Sequence, residues 1–189
     1  VGLVSLGAFI LFDIPLALLV MQILAIDLIA ELFPIAALGW DKADSNLMEE
    51  QPRDPKKHIL NKQSVIDLLW CGLLIGGLAF TNFILFFWRH GMEATTADKL
   101  NPALYLQATT ICYLTIVLCQ LLNIMQRRSQ HGLFTRYQLH NKAFWVAIGF
   151  SVFCVAIIIY SPLVSPYFQT MPLDVIDWLY ALGAAAIFI

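Results

Sequence analysis

Charge is what this sequence has least of. Asp, Glu, Lys and Arg make up 13% of its 189 residues, about half of the roughly 25% usual in soluble domains. Apolar side chains fill the deficit, at 60% of the chain against about 45–50% in an ordinary domain. A soluble enzyme and a disordered chain are excluded on that composition. The formal net charge is −2 and no basic face meets phosphate, which excludes a nucleic-acid partner. Cysteine is sparse and ungrouped. Cys71, Cys112, Cys119 and Cys154 form no C-x-x-C pair, so neither a thiolate metal site nor a disulfide framework is indicated. His58, His90, His131 and His140 are too scattered for a zinc set. A glycine-rich phosphate loop, a nucleophile elbow and a Ser/His/Asp set on one surface are also missing.

What the chain has is length in its apolar runs, such as 65–88 and 144–160. A membrane barrel would show strands of about ten residues alternating with period 2. A helix needs about 20 residues to cross about 30 Å of hydrocarbon, and these runs have that length. The fold class expected is therefore an all-α membrane protein. It is a bundle of six segments over residues 1–12, 15–39, 63–88, 103–125, 143–160 and 173–189. The first and last are expected to be truncated, because Val1 opens inside one apolar run and Ile189 closes inside another. No basic start precedes the first run, so no signal peptide is expected.

Orientation follows from Lys and Arg in short loops. Lys42, Arg53, Lys56, Lys57 and Lys62 lie in the loop 40–62, and Arg127, Arg128, Arg136 and Lys142 in the loop 127–142. Nine of the 11 basic residues thus fall on one side, and six alternating crossings place those two loops together. Both are expected to be cytoplasmic. Trp40, Trp88, Trp145 and Trp178 fall near segment ends, where interfacial aromatic belts belong. Pro52 and Pro55 stiffen the loop 40–62. It reads either as a solvated connector or as a docking surface for a cytoplasmic domain.

Asp27 and Glu31 stand near the middle of the second segment, spaced i, i+4 on one helix face. Each acid at mid-bilayer costs about 2.5–3.5 kcal/mol. The pair therefore cancels the contribution of roughly ten to twenty leucine-like residues. Protonation or a salt bridge would relieve that cost, but no Lys, Arg or His lies inside any of the six segments. A cation or proton site is the expectation. Pro34 follows Glu31 by three residues and frees the backbone carbonyl of Ala30. Carboxylates and a loose carbonyl are hard oxygen ligands, suited to Na⁺, K⁺, Ca²⁺ or H⁺. In the fourth segment, Gln120 and Asn123 either bond between helices or lend amide oxygens to the same site. Gly72 and Gly76, followed by Gly77, read as a close-packing face, within the bundle or against another subunit.

Three stretches carry a family likeness. The first runs Ile14-Pro-Leu-Ala-Leu, Gln22-Ile-Leu-Ala-Ile-Asp-Leu-Ile-Ala-Glu-Leu-Phe-Pro34, Leu38-Gly and Met48-Glu-Glu-Gln-Pro-Arg-Asp-Pro55. It resembles the sixth transmembrane helix and following cytoplasmic loop of P-type cation-transporting ATPases. Leu114-Thr-Ile-Val-Leu-Cys-Gln-Leu-Leu-Asn123 resembles their eighth helix, and Tyr160-Ser-Pro with Pro172-Leu-Asp-Val-Ile-Asp-Trp-Leu179 their ninth-to-tenth junction. The resemblance implies that residues 1–189 form the C-terminal transmembrane domain, from the end of the fifth helix into the tenth.

It also implies cation ligands at Asp27 and Glu31, with the Ala30 carbonyl, Gln120 and Asn123 assisting. The transported cation is then the bound species. ATP and Mg²⁺ act only through cytoplasmic domains that hold the phosphorylated aspartate and its D-K-T-G motif, both absent from this chain. The implied partners are the lipid bilayer, the pump's N-terminal helices and cytoplasmic domains, and an accessory subunit at Gly72 and Gly76. The implied location is the cell membrane. Reticulum-type calcium pumps carry Asn at the position of Asp27, Thr at that of Ala30 and an acid at that of Val117. On those departures the chain is more similar to the sodium/potassium and proton/potassium branch, and a monovalent cation is expected. A calcium pump and an ion-coupled secondary transporter are the alternatives. No C-P-C motif points to the heavy-metal branch.

Overall fold

Inside hydrocarbon a chain must satisfy its own backbone, and a long apolar run does so as a helix. The computed structural model describes residues 7, 16–39, 62–91, 101–128 and 142–189. The described residues are helical wherever the sequence is long and apolar, and they contain no strand. In chain order the elements are α1 (Val20–Ala25), a π-helical turn (Ile26–Glu31), α2 (Leu32–Leu38), α3 (Lys62–Arg89), α4 (Pro102–Arg128), α5 (Lys142–Tyr160), α6 (Ser165–Phe168) and α7 (Val175–Phe188). Four stretches are long and apolar enough to cross a membrane: Val20–Leu38, Lys62–Arg89, Pro102–Arg128 and Lys142–Tyr160. The shorter α7 is apolar as well. The chain is thus an all-α membrane bundle. The expected segment 1–12, apart from Gly7, and most of both basic loops lie outside the described residues.

Contacts at the helix ends fix the directions. The Arg128 guanidinium lies 4.5 Å above the Phe144 ring, joining the end of α4 to the start of α5. Arg127 Nη2 reaches Cys71 Sγ at 3.2 Å, in the first half of α3. Gln126 Nε2 donates to the carbonyl of Ile189 at 3.4 Å, at the end of α7. At the opposite end, Arg89 of α3 pairs with Asp177 of α7. Neighbouring spans therefore alternate in direction. Lys62, Arg127, Arg128 and Lys142 share one end of the bundle.

The spans differ most in burial. About 67% of the most apolar window of α4 is buried, against 28–29% for the other three spans. Large exposed apolar side chains come from every other span and none from α4. Hydrophobicity does not drive helices together in lipid, so packing and interhelical hydrogen bonds do. α4 supplies both. Thr109, Thr110 and Thr115 are fully buried, and each hydroxyl donates to a carbonyl of its own helix. Each oxygen then accepts from a neighbouring segment: Gln22 Nε2 at 3.3 Å, the Met171 N–H at 3.0 Å and Asn82 Nδ2 at 2.9 Å. Bonds of this kind contribute about 0.6 kcal/mol each. Three of them choose α4's neighbours more than they stabilise the bundle.

Several expectations are corrected here. The second segment is no continuous α-helix, because residues 16–19 are not helical and a π-helical turn interrupts the rest. α3 extends to Arg89 and α4 to Arg128, so basic residues do lie inside spans. The Pro-rich turn holds the short helix α6, and α7 begins only at Val175. Gly76 is buried, but the space a Cβ would take at Gly72 and Gly77 is open. Those two glycines therefore form no close seam within the described bundle. α3 ends through Gly91, whose φ of +67° closes the helix in a conformation that favours glycine.

Candidate functional site

The two acids lie on the widened turn. Asp27 and Glu31 fall within Ile26–Glu31, where the helix takes π form between α1 and α2. Proline supplies the cause, since Pro34 offers no N–H and its ring clashes with the carbonyl four residues back, that of Ala30. The helix before it widens into a single π turn, the form in which π structure mostly occurs inside an α-helix. Asp27 is exposed and Glu31 half-buried. Among the described residues, no Lys, Arg or His pairs with either carboxylate. Nor do three His, Cys, Asp or Glu side chains converge there into a metal-binding group.

The turn is held from both ends. Upstream, Gln22 is fully buried. Its Nε2 donates to Thr109 Oγ1 and to the carbonyl of Gln169 at 3.2 Å, while its Oε1 accepts from the Leu19 N–H at 3.3 Å. Gln169 has a left-handed backbone (φ 52°), and its carbonyl is the group that Gln22 captures. Downstream, Phe33 meets Phe150 edge to face with ring centroids 4.9 Å apart. In the turn itself, Ser151 Oγ donates to the carbonyl of Ile29 at 2.8 Å.

The other expected ligands are placed less closely. The π turn packs against α4, which carries Gln120 and Asn123, both half-buried. Asn123 Oδ1 accepts from Arg127 Nε at 3.0 Å, so that oxygen is already engaged. No hydrogen bond joins Gln120 to either acid among the described residues. The Ala30 backbone lies in the π turn, but the carbonyl that takes an outside donor is that of Ile29. Ser151, the clamp made by Gln22 and the pairing of Arg89 with Asp177 are not foreseen from the sequence. A polar residue isolated in an apolar span is the signal that marks the first two. Asp177 was readable as an acid in the last segment. What identifies it as paired is Arg89, 88 residues earlier.

Asp177 shows what a compensated acid looks like. It is 3% exposed, and its Oδ2 accepts from the Asp174 N–H at 3.1 Å, the N-terminal cap of α7. Its other oxygen takes Arg89, whose guanidinium lies 5.6 Å from the Phe86 ring centre and 5.3 Å from that of Tyr180. Among the described residues, Asp27 and Glu31 have no such resident cation.

Residues 15–189 match the family model described as "Cation transporting ATPase, C-terminus". A calcium-transporting ATPase of Bacillus subtilis is 31% identical over 177 residues, covering 94% of this chain and 19% of that protein. The human calcium-transporting ATPase type 2C member 1 is 29% identical over 174 residues, covering 92% of this chain and 18% of that protein. A probable calcium-transporting ATPase of Trypanosoma brucei brucei is 28% identical over 178 residues, covering 87% and 18%. The chain thus spans about a fifth of the length of these relatives. All three carry calcium-transporting names, and the likeness to the sodium/potassium and proton/potassium branch finds no support among them.

Proposed function

We infer the function from one premise: the chain belongs to the cation-transporting ATPase family, as the C-terminal region of a P-type pump. It is a multi-pass integral membrane protein. Its role, on our reading, is to bind and translocate calcium in an ATP-driven pump. The observation that carries this is the pair of carboxylates, Asp27 and Glu31, which meet no Lys, Arg or His among the described residues and lie on an irregular turn inside an apolar span. Such a pair is too costly to keep without a cation to receive.

The chemistry accommodates calcium as readily as a monovalent ion. Replacing an amide by the carboxylate of Asp27 adds charge but leaves the ligand a hard oxygen. Two carboxylates balance one divalent ion. Ca²⁺ takes about 6–8 oxygens at about 2.3–2.6 Å, more than this turn supplies. The exposed side of Asp27 is where helices of the full-length protein would complete the shell. Of the two expected amides of α4, Gln120 is the one we keep as an assisting ligand, because Asn123 Oδ1 already accepts from Arg127. The end of the bundle bearing Lys62, Arg127, Arg128 and Lys142 is the cytoplasmic one. ATP and Mg²⁺ act in the larger, cytoplasmic part of the pump.

ATP-driven calcium uptake into vesicles by the full-length protein tests this. Asp27→Asn and Glu31→Gln should each raise the calcium concentration for half-maximal uptake about tenfold or more, the effect of losing one charged contact of about 1.4 kcal/mol or above. An unchanged calcium dependence in both variants rejects the site. ATPase activity stimulated by sodium or potassium in the absence of calcium would restore the monovalent reading.

A further inference from the structure

Serine in a membrane helix ordinarily turns its hydroxyl back onto its own backbone. Thr81, Thr109, Thr110 and Thr115 all do so here. Ser151 does not. It is 0% exposed, in the span of highest mean hydropathy, 2.4. Its hydroxyl crosses to the carbonyl of Ile29, 122 residues away in sequence. Ile29 lies between Asp27 and Glu31 in the π turn. The neighbouring residue, Phe150, packs on Phe33 just beyond that turn. α5 therefore touches the turn at its centre and at its exit.

We propose that Ser151 is a positioning residue for the two carboxylates, holding the turn that carries them in its wide register. The inference rests on the calcium reading above. A π turn contains one residue more than the α-helix would. If it relaxed to α form, Glu31 would rotate relative to Asp27 by about the 100° that one helical residue subtends. A carbonyl has two lone pairs, so the carbonyl of Ile29 can keep a backbone partner while it takes the Ser151 hydroxyl. Ser151 thereby sets how the acids face a cation without touching the cation itself.

The test uses the full-length pump in membranes and follows phosphorylation from ATP against calcium concentration. Ser151→Ala should raise the half-maximal calcium concentration about three- to tenfold, the worth of one hydrogen bond. The maximal phosphoenzyme level, and phosphorylation by inorganic phosphate without calcium, should stay at wild-type values. Ser151→Cys keeps the volume and weakens the donor, and should fall between wild type and Ser151→Ala. Ser151→Thr should restore the wild-type curve. A Ser151→Ala curve superimposed on wild type overturns the proposal. So does a parallel loss of calcium affinity and of phosphorylation by inorganic phosphate that Ser151→Thr fails to rescue. Glu31→Gln separates the two readings. If it is silent, the calcium site itself is wrong. If it abolishes the calcium response while Ser151→Ala does not shift it, the positioning role alone fails.

Discussion

Asp177 and the Asp27–Glu31 pair are all acids on apolar helices, and the bundle treats them in opposite ways. Asp177 is almost fully buried, capped onto its own helix and matched by Arg89. Asp27 is exposed, Glu31 half-buried, and neither meets a basic side chain among the described residues. One region keeps its counter-ion in the chain. The other shows none among the described residues. A buried charge with a resident partner ties two helices together, whereas one without a partner must be supplied from outside. The backbones agree with the charges. Asp177 sits at the regular start of α7, while the unpaired acids sit on a turn forced out of α form.

The two regions should therefore respond to mutation with opposite signs. Asp27→Leu removes an uncompensated acid, so it should favour membrane insertion of the segment Val20–Leu38 by about 3–4 kcal/mol. A glycosylation-mapping insertion assay reads this directly. An unchanged insertion fraction would mean that Asp27 is already compensated. Arg89→Ala leaves Asp177 buried and alone. It should destabilise the full-length protein in detergent by about 3 kcal/mol, the low end for a broken buried pair because Arg89 is partly exposed. Thermal unfolding measures it. The smallest effect is the sharpest. Arg89→Leu combined with Asp177→Asn removes both charges and keeps an acceptor for the Asp174 N–H. Stability should return to within about 1 kcal/mol of wild type. A double variant as unstable as Arg89→Ala would mean that the ion pair does more than neutralise Asp177.

Much of the architecture could be read without coordinates. The segments expected at 63–88, 103–125 and 143–160 differ from Lys62–Arg89, Pro102–Arg128 and Lys142–Tyr160 by no more than three residues at any end. The two acids were legible because charge in an apolar run is visible one residue at a time. Pro34 also pointed to the break beside them, although its form was not foreseen. The centrality of α4 had a faint sign in its mean hydropathy, 1.7, the lowest of the four spans. Its threonines read as ordinary membrane residues until their partners came into view.

Sequence alone determined that the chain is a set of apolar helices of membrane-crossing length with two acids inside one of them. Span length and the cost of charge are local properties, set by hydrocarbon thickness and by residue type. Tertiary structure decided which acid is structural, which helix is central and what grips the π turn. Arg89 finds Asp177 across 88 residues, and Ser151 finds Ile29 across 122. A hydrogen bond or ion pair depends on what stands opposite, and only the packing of the helices puts those groups face to face.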